Sequence, residues 1–456
     1  MTGPMKGPTT GHTIRRLPAD TGVSGWEAIS AREFPVRELD GDILADWLII
    51  GAGFAGLSAA RRLAQLRPGE RVVVLDAQEV AKGAAGRNSG FMIDVPHNLS
   101  SGEYSVGDAA STTLEIAQNR LAIGFAAEAA AEYGMAPTTF DPCGKINAAA
   151  TERGLKANRN FRDSLQRIGE SYEELDAEQM RDITGSRYYL GGVYTPGAVM
   201  IQPAEYIRAL AKGLLPTTEI YENSPVRELA RKGGDWVATS NRGTVTAPRV
   251  ILAVNGHVQS FGHFRGRLMH IFTYASMTAA FSQNEYSRQM SGAERWALLP
   301  ADPMGATLRK ISAHGLSRVV IRTRFTYDPS LKVSEARVAG IAGQQRRSFD
   351  ARFPELAGVP MEFSWAGALC LSRNHAPAFG EVEPGLYSAC CENGLGTVKS
   401  TLAGMMAAEL ATGTRSDHLA KYRNHPKPSL IPPEPFSWIG INSVIRWQEM
   451  RAGREG

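Results

Sequence analysis

The residues whose spacing could do chemistry come early: Gly51-Ala52-Gly53-Phe54-Ala55-Gly56 and, 25 positions after the first of them (76 − 51), Asp76. Gly51 permits a tight turn, Gly53 lets a pyrophosphate approach bare backbone, and Gly56 lets a helix pack closely on the strand behind it. A carboxylate about 20 residues beyond such a turn can accept hydrogen bonds from ribose hydroxyls. The chemistry is the holding of a dinucleotide on the free N–H groups and positive dipole end of a helix. A second small-residue stretch, Lys82-Gly83-Ala84-Ala85-Gly86-Arg87-Asn88-Ser89-Gly90-Phe91-Met92, suits backbone contact with a bulky planar ligand. Arg87 and Asn88 there could donate to phosphate or ring, a plain surface loop being the alternative.

The elements that must position these residues are legible around them. Trp47-Leu48-Ile49-Ile50 reads as a buried strand, and Leu57, Ala60, Ala64 and Leu66 fall on one side of a helix. Pro68-Gly69 ends that helix, and Val72-Val73-Val74-Leu75 runs into Asp76. Strand, glycine turn, helix and strand follow in the order of a dinucleotide-binding βαβ unit.

A chain of 456 residues argues for two domains, and 43% apolar with 21% charged residues describes an ordinary globular protein. Fifty basic against 46 acidic residues is too even a balance for nucleic-acid binding. Cys143, Cys370, Cys390 and Cys391 form no CxxC pair, which suits a reducing compartment. No signal-like or bilayer-spanning apolar run occurs, so a cytoplasmic location is expected. Residues 1–45, rich in Gly, Pro and Thr, read as a leader lying over the surface or disordered.

Beyond the βαβ unit, residues 107–134 read as an alanine-rich helix, 140–151 as a strand and 152–184 as charged helix. Tyr188–Pro203 reads as strand, turn and strand, with Gln202-Pro203 opening a helix through Leu215. Glu219–Val226 reads as a strand with a polar turn, and Arg249–Asn255 as a buried strand ending at Gly256-His257. The stretches 267–282 and 317–328 alternate as in a sheet with one open face, placing Arg322 and Arg324 together opposite Val319, Ile321, Thr323 and Phe325. A proline-rich 425–435 leads to an imperfectly amphipathic helix, Trp438–Met450, able to dock on the protein or lie on a membrane.

With these pieces in order, the sequence resembles the FAD-dependent oxidoreductases of the D-amino-acid oxidase and glycine oxidase superfamily, γ-glutamylputrescine-oxidase branch. The likeness is carried by GAGFAGLSAARRLA with VVVLDA, by GAAGRNSGF, by RVILAVNGH, and by SWAGALCLSRNHAPAFG with LYSACCENGLGTVKSTLAGMMAAEL. It implies an α/β protein: a discontinuous Rossmann-type FAD-binding domain (46–135, 196–258, 365–413), an α+β substrate domain on a mixed or antiparallel sheet (136–195, 259–364), and a tail, 414–456. By resemblance the FAD contacts extend over Ala77, Val226, Asn255, Gly256, Asn393, Gly394, Leu395, Gly396 and Thr397, besides the two glycine stretches. The helix beginning near Gly396-Thr397 would stabilise negative charge on the reduced ring.

The resemblance also implies the reaction. A C–H beside an amine is oxidised by hydride transfer to flavin N5, and the resulting imine is hydrolysed, with O2 or another acceptor taking the electrons. No second nucleotide-binding unit for NAD(P)H is present. Oxidation of a 2-hydroxy acid, or a non-catalytic flavin module, are the rival functions on such a scaffold. Where relatives carry a GYSGHG-like turn this chain has Cys391-Glu392-Asn393-Gly394-Leu395-Gly396, so Glu392 or Asn393 would face the ring. Arg322 falls near the place of a lysine over the ring, and Cys370 near a cysteine covalently joined to flavin in sarcosine-oxidase-like relatives, Cys391 being the other thiol to consider. Phe272, Tyr274 and Trp365 could line the substrate cavity and Arg373 could hold a carboxylate, packing or ion pairing being the alternatives. His97, His257, His263, His270 and His375 show no metal-ligand spacing, and no metal is expected.

Overall fold

A computed structural model of the chain describes residues 11–96, 109–282 and 292–456; His97 lies outside them. Its centre is a six-stranded sheet in the order Thr218–Tyr221, Val72–Leu75, Trp47–Ile50, Arg249–Leu252, Leu386–Cys390 and Ala378–Glu383. The first five are parallel and the last antiparallel. Strands Trp47–Ile50 and Val72–Leu75 are buried at every position, because helices cover one face and a second sheet the other.

On the helical face lie Phe54–Leu66 and Gly396–Thr412. They cross closely: a side chain at Gly404 would overlap the carbonyl of Ala55. On the other face sits a five-stranded sheet in the order Gly11–Thr13, Glu228–Lys232, Asp235–Thr239, Gly243–Ala247 and Gly41–Leu44. Trp236 and Val245 from it join Leu48, Ile50 and Val73 in one apolar cluster. The arrangement is a Rossmann-type α/β fold.

A nine-stranded mixed sheet stands beside it, its main path running Met361–Ser372, Leu268–Thr278, Leu316–Tyr327, Thr307–Ala313, Trp296–Pro300, Lys145–Ala149, Gly191–Thr195 and Glu173–Asp176. Phe281–Ser282 adds to Leu316–Tyr327, and only the Trp296–Pro300 and Lys145–Ala149 pairing is parallel.

Several sequence expectations need correction. The leader is built into the fold: Gly11–Thr13 and Gly41–Leu44 are strands, and Ile14, Trp26 and Leu39 are buried. Residues 152–184 are not one helix. Gly169, in the left-handed region at φ 76°, ends Glu152–Ile168, and strand Glu173–Asp176 precedes helix Ala177–Thr184. The strands within Tyr188–Pro203 join different sheets, Val199–Ile201 pairing with Phe91–Met92 and Phe140–Asp141. Arg324 is bulged out at φ 64°, so the alternation breaks: Thr273 faces Phe325 while Tyr274 faces Thr323. The bulge brings Phe325 to the cavity beside Arg322 and sends Arg324 outward to Glu449 at 3.2 Å.

The last helix, Phe436–Ala452, docks on strand Leu316–Tyr327 through Ile441 and Ile445, with Asn442 accepting from the Tyr327 N–H at 3.0 Å.

Candidate active site

The glycine turn is built as its spacing demands. Gly51 has φ 109° and donates its N–H to Leu75 O at 2.8 Å, while a side chain at Gly56 would overlap the Gly51 carbonyl. Asp76 clamps the turn from the next strand, Oδ2 accepting from the Ala52 N–H at 2.7 Å and Oδ1 from the Gln78 N–H at 2.9 Å. Burial pushes its carboxyl up to about 6 against the pull of those two bonds, with Glu222 and Asp20 adding like charge.

Helix starts elsewhere in the described fold are mostly covered by side chains, and the last helix, which has no cap at Pro435, has Glu434 accepting from the Trp438 N–H at 3.1 Å. Ser24, Thr151, Asp176, Gln202, Ser334 and Ser416 each cap a helix with their own side chains. Helix Phe54–Leu66 starts at Gly53 and helix Gly396–Thr412 at Leu395, neither with a side-chain cap, and the turn Ala84–Gly86 starts uncapped at Gly83. All three starts open into one long cavity. Unclaimed N–H groups and two dipole ends around a single cavity suit a dinucleotide pyrophosphate at one end and an electron-rich ring at the other. The residues present therefore fit FAD.

The cavity is lined along its nucleotide half by Gly51, Gly53, Phe54, Ala55, Asp76, Ala77, Gly83, Ala84, Arg87, Asn88, Ser89 and Val226. Toward the other half come Asn255, Gly256, Glu392, Gly394, Leu395, Gly396 and Thr397. Gly56, Gly86 and Gly90 do not line it and act by close packing, a side chain at Gly86 overlapping the Ala81 carbonyl and one at Gly90 the Arg309 guanidinium.

Arg87 and Asn88 are used differently from the expectation. The Arg87 guanidinium donates to the carbonyls of Lys82 at 2.7 Å, Thr21 at 3.1 Å and Ala366 at 3.3 Å, and also to Gly22 O. Asn88 donates to Ala85 O at 2.7 Å and accepts from the Gly90 N–H at 2.8 Å. Both side chains brace the loop through hydrogen bonds to main-chain groups.

The leader supplies lining residues that the sequence reading missed: Ile14 and Arg16 to Asp20. It is fastened by Ser24 Oγ to Gly86 O at 3.0 Å and by Trp26 Nε1 to Asn88 O at 2.8 Å. A lone tryptophan in a Gly/Pro/Thr-rich stretch was the available signal.

At the turn before helix Gly396–Thr412, Cys391, Asn393 and Gly394 adopt φ of 64°, 52° and 90°. Glu392 is buried, with Oε1 accepting from the Cys370 N–H at 3.1 Å and Asn255 Nδ2 at 3.2 Å; burial raises its carboxyl pKa. Asn393 points away from the cavity, accepting from the Ser372 N–H at 2.8 Å and donating to His375 O at 3.0 Å, so it is a loop brace and not a ring-facing group. Cys370 and Cys391 are buried and outside the cavity lining. The neighbouring Cys391 thiol and burial hold the Cys370 thiol pKa well up, against a nucleophilic role.

Phe272, Tyr274 and Arg322 line the far end of the cavity. The Arg322 guanidinium lies 5.0 Å from the Phe325 ring centroid, and the Tyr274 hydroxyl is 2.6 Å from Thr326 Oγ1. Trp365 is not there. It lies mid-strand, fully buried, edge-on to Trp26 and donating Nε1–H to Arg87 O at 3.0 Å. Arg373 is exposed and outside the lining. His257 and His270 also border the cavity, and burial depresses each imidazole to about 4.

Residues 46–410 match the family described as "DAO: FAD dependent oxidoreductase", and the chain belongs to it. It is an FAD-dependent oxidoreductase. Among curated proteins it is 26% identical over 420 residues to the probable oxidoreductase OrdL of Rhizobium meliloti, covering 88% of this chain and 90% of that one. It is 25% identical to the gamma-glutamylputrescine oxidoreductase of Escherichia coli, covering 89% and 93%. Glycine oxidase from Geobacillus kaustophilus shares the fold with a TM-score of 0.69 at 19% identity, over 86% of this chain and all of that one. Iminodiacetate oxidase from Chelativorans does so at 0.65 and 17%, over 84% and 100%. Among the described residues no helix is long and apolar enough to cross a membrane.

Proposed function

We propose that this enzyme oxidises the C–N bond of a small amine or amino acid to an imine, which water then hydrolyses. The observation that carries the reading is that Phe272, Tyr274 and Arg322 line the same cavity as Glu392 and the uncapped helix start at Leu395. The full-length similarity to gamma-glutamylputrescine oxidoreductase supports the same class.

Bound FAD supplies the two-electron acceptor. Gly51, Gly53, Ala84 and the N–H groups of helix Phe54–Leu66 would hold its phosphates, and Asp76 and Val226 its nucleoside. The N–H groups at Gly396 and Thr397 would stabilise negative charge on the reduced ring. Arg322 orients a substrate carboxylate, and Phe272 and Tyr274 exclude water from the reacting carbon. The amine must lose its proton before oxidation, so rate rises with pH through the bound amine's pKa.

Dioxygen or another oxidant takes the electrons, and the last helix offers a surface that would bring the enzyme to a membrane-borne acceptor. Its outward face carries Phe436, Ile439, Val444, Trp447 and Met450, all exposed, with Arg446 and Arg451 along its margins. Its one acid, Glu449, turns inward to Arg324. An apolar stripe between arginines matches an anionic lipid surface, which a like-charged second copy would not.

The testing experiment is anaerobic reduction of the flavin absorbance across polyamines, N-alkylated amino acids, D-amino acids and 2-hydroxy acids. Bleaching by an amine is expected; bleaching by hydroxy acids alone, or by nothing, overturns the reading.

A further inference from the structure

Away from the cavity, three side chains from distant parts of the chain converge. His12 lies in strand Gly11–Thr13, His263 just beyond the turn Asn255–Phe261, and Glu383 at the end of strand Ala378–Glu383. His12 Nε2 is 2.7 Å from Glu383 Oε1, and His263 Nε2 is 3.4 Å from the same oxygen. The donor atoms all lie within 4.8 Å of one another, and the imidazole centroids are 5.1 Å apart. The side chains are only 21%, 12% and 23% exposed, so the group is sheltered and open on one side.

Two further observations point to an occupant. His263 Nε2 is buried without a hydrogen-bond partner, its 3.4 Å approach to Glu383 Oε1 not making one. Gly262, at φ 91°, brings its backbone so close to the His12 ring that a side chain there would clash with Nδ1 at 2.7 Å. The chain around His263 is thus shaped to accept the His12 imidazole against it.

We propose that His12, His263 and Glu383 form a zinc site. Two imidazoles and one carboxylate, with a fourth position left to water, are a common Zn²⁺ donor set. Ligand atoms at about 2.1 Å from a tetrahedral ion lie about 3.4 Å apart. The His263–Glu383 distance of 3.4 Å already meets that, and the His12–Glu383 pair, at 2.7 Å, needs to open by about 0.7 Å through side-chain rotation. The sequence could not show this cluster, because its ligands come from three separate segments and have no local spacing. Zinc would tie the leader strand to the nucleotide-binding body a few residues before Arg16 and the other leader residues that line the cavity.

The test uses the full chain with FAD bound, stripped with EDTA and titrated with ZnCl2 against a chromophoric chelator. One tightly held equivalent is expected, with affinity falling at least tenfold in both Glu383→Gln and His263→Ala, and with zinc raising the thermal midpoint of the parent alone. X-ray absorption at the zinc edge of the parent protein gives a readout that needs no variant: two imidazoles and only N/O neighbours are expected. Absence of a bound equivalent, equal retention by both variants, or sulfur in the zinc shell overturns the proposal.

Discussion

The Cα of Gly56 sits against the carbonyl of Gly51 so closely that no side chain fits between them. Helix and turn are thereby locked into the geometry that aims the helix start at the cavity. Gly56→Ala should yield protein that is colourless or misfolded, checked by the ratio of flavin to protein absorbance. Gly124→Ala is the control: that glycine lies in the helix Ala109–Glu132 with nothing within 4 Å of a new Cβ. It should keep its flavin and gain up to about 1 kcal/mol.

Arg322 borders the cavity end where the substrate is placed. Arg322→Ala should raise KM for carboxylate-bearing amines by about 10- to 100-fold, the range of a charge-assisted contact, with a smaller change in kcat. Amines lacking a carboxylate should be nearly indifferent. Steady-state kinetics on matched pairs of substrates checks this.

His270 is held neutral, its imidazole depressed to about 4 from the ordinary 6.5 by burial and by the charges of His257 and Arg16. The unfolded chain takes up this proton first. The stability contribution is therefore complete above pH 6.5 and is lost as pH falls toward 4, on the order of 3 kcal/mol in all. Urea unfolding between pH 7 and 4 should show that slope, and His270→Gln should lessen it, with the equally depressed His257 imidazole still contributing its own share.

Trp26 is fully buried against Trp365 and tied to Asn88 O. Trp26→Ala should cost about 3–5 kcal/mol and release flavin more readily. Denaturation and flavin retention on gel filtration measure the two effects.

The stripe from Phe436 to Met450 should bind phosphatidylserine-containing vesicles in sedimentation and ignore neutral ones. The double variant Ile439→Asp, Trp447→Asp should lower that binding at least tenfold while leaving the folded core intact. Equal binding by the variant would remove the lipid surface from consideration.

The nucleotide turn was legible because its physics is local: glycines, an apolar strand on either side and an acid at a fixed distance. What failed depended on contacts far along the chain. The leader looked like surface because nothing nearby in sequence announces that Trp26 meets Trp365. Arg87 and Asn393 are chemically suited to a ligand, but their hydrogen-bonding groups are taken up by main-chain partners that only the folded loops supply. Arg324 was misplaced because one bulged residue reverses every face beyond it. The break in 152–184 could have been read at Gly169, whose left-handed conformation stops a helix.

The two uncapped helix starts that share the cavity are separated by 342 positions (395 − 53). A ribosome therefore exposes the first half of the cradle long before it has made the second. Cofactor loading is therefore expected only after synthesis is nearly complete, and stalled chains ending before residue 390 should emerge without colour however much FAD is supplied.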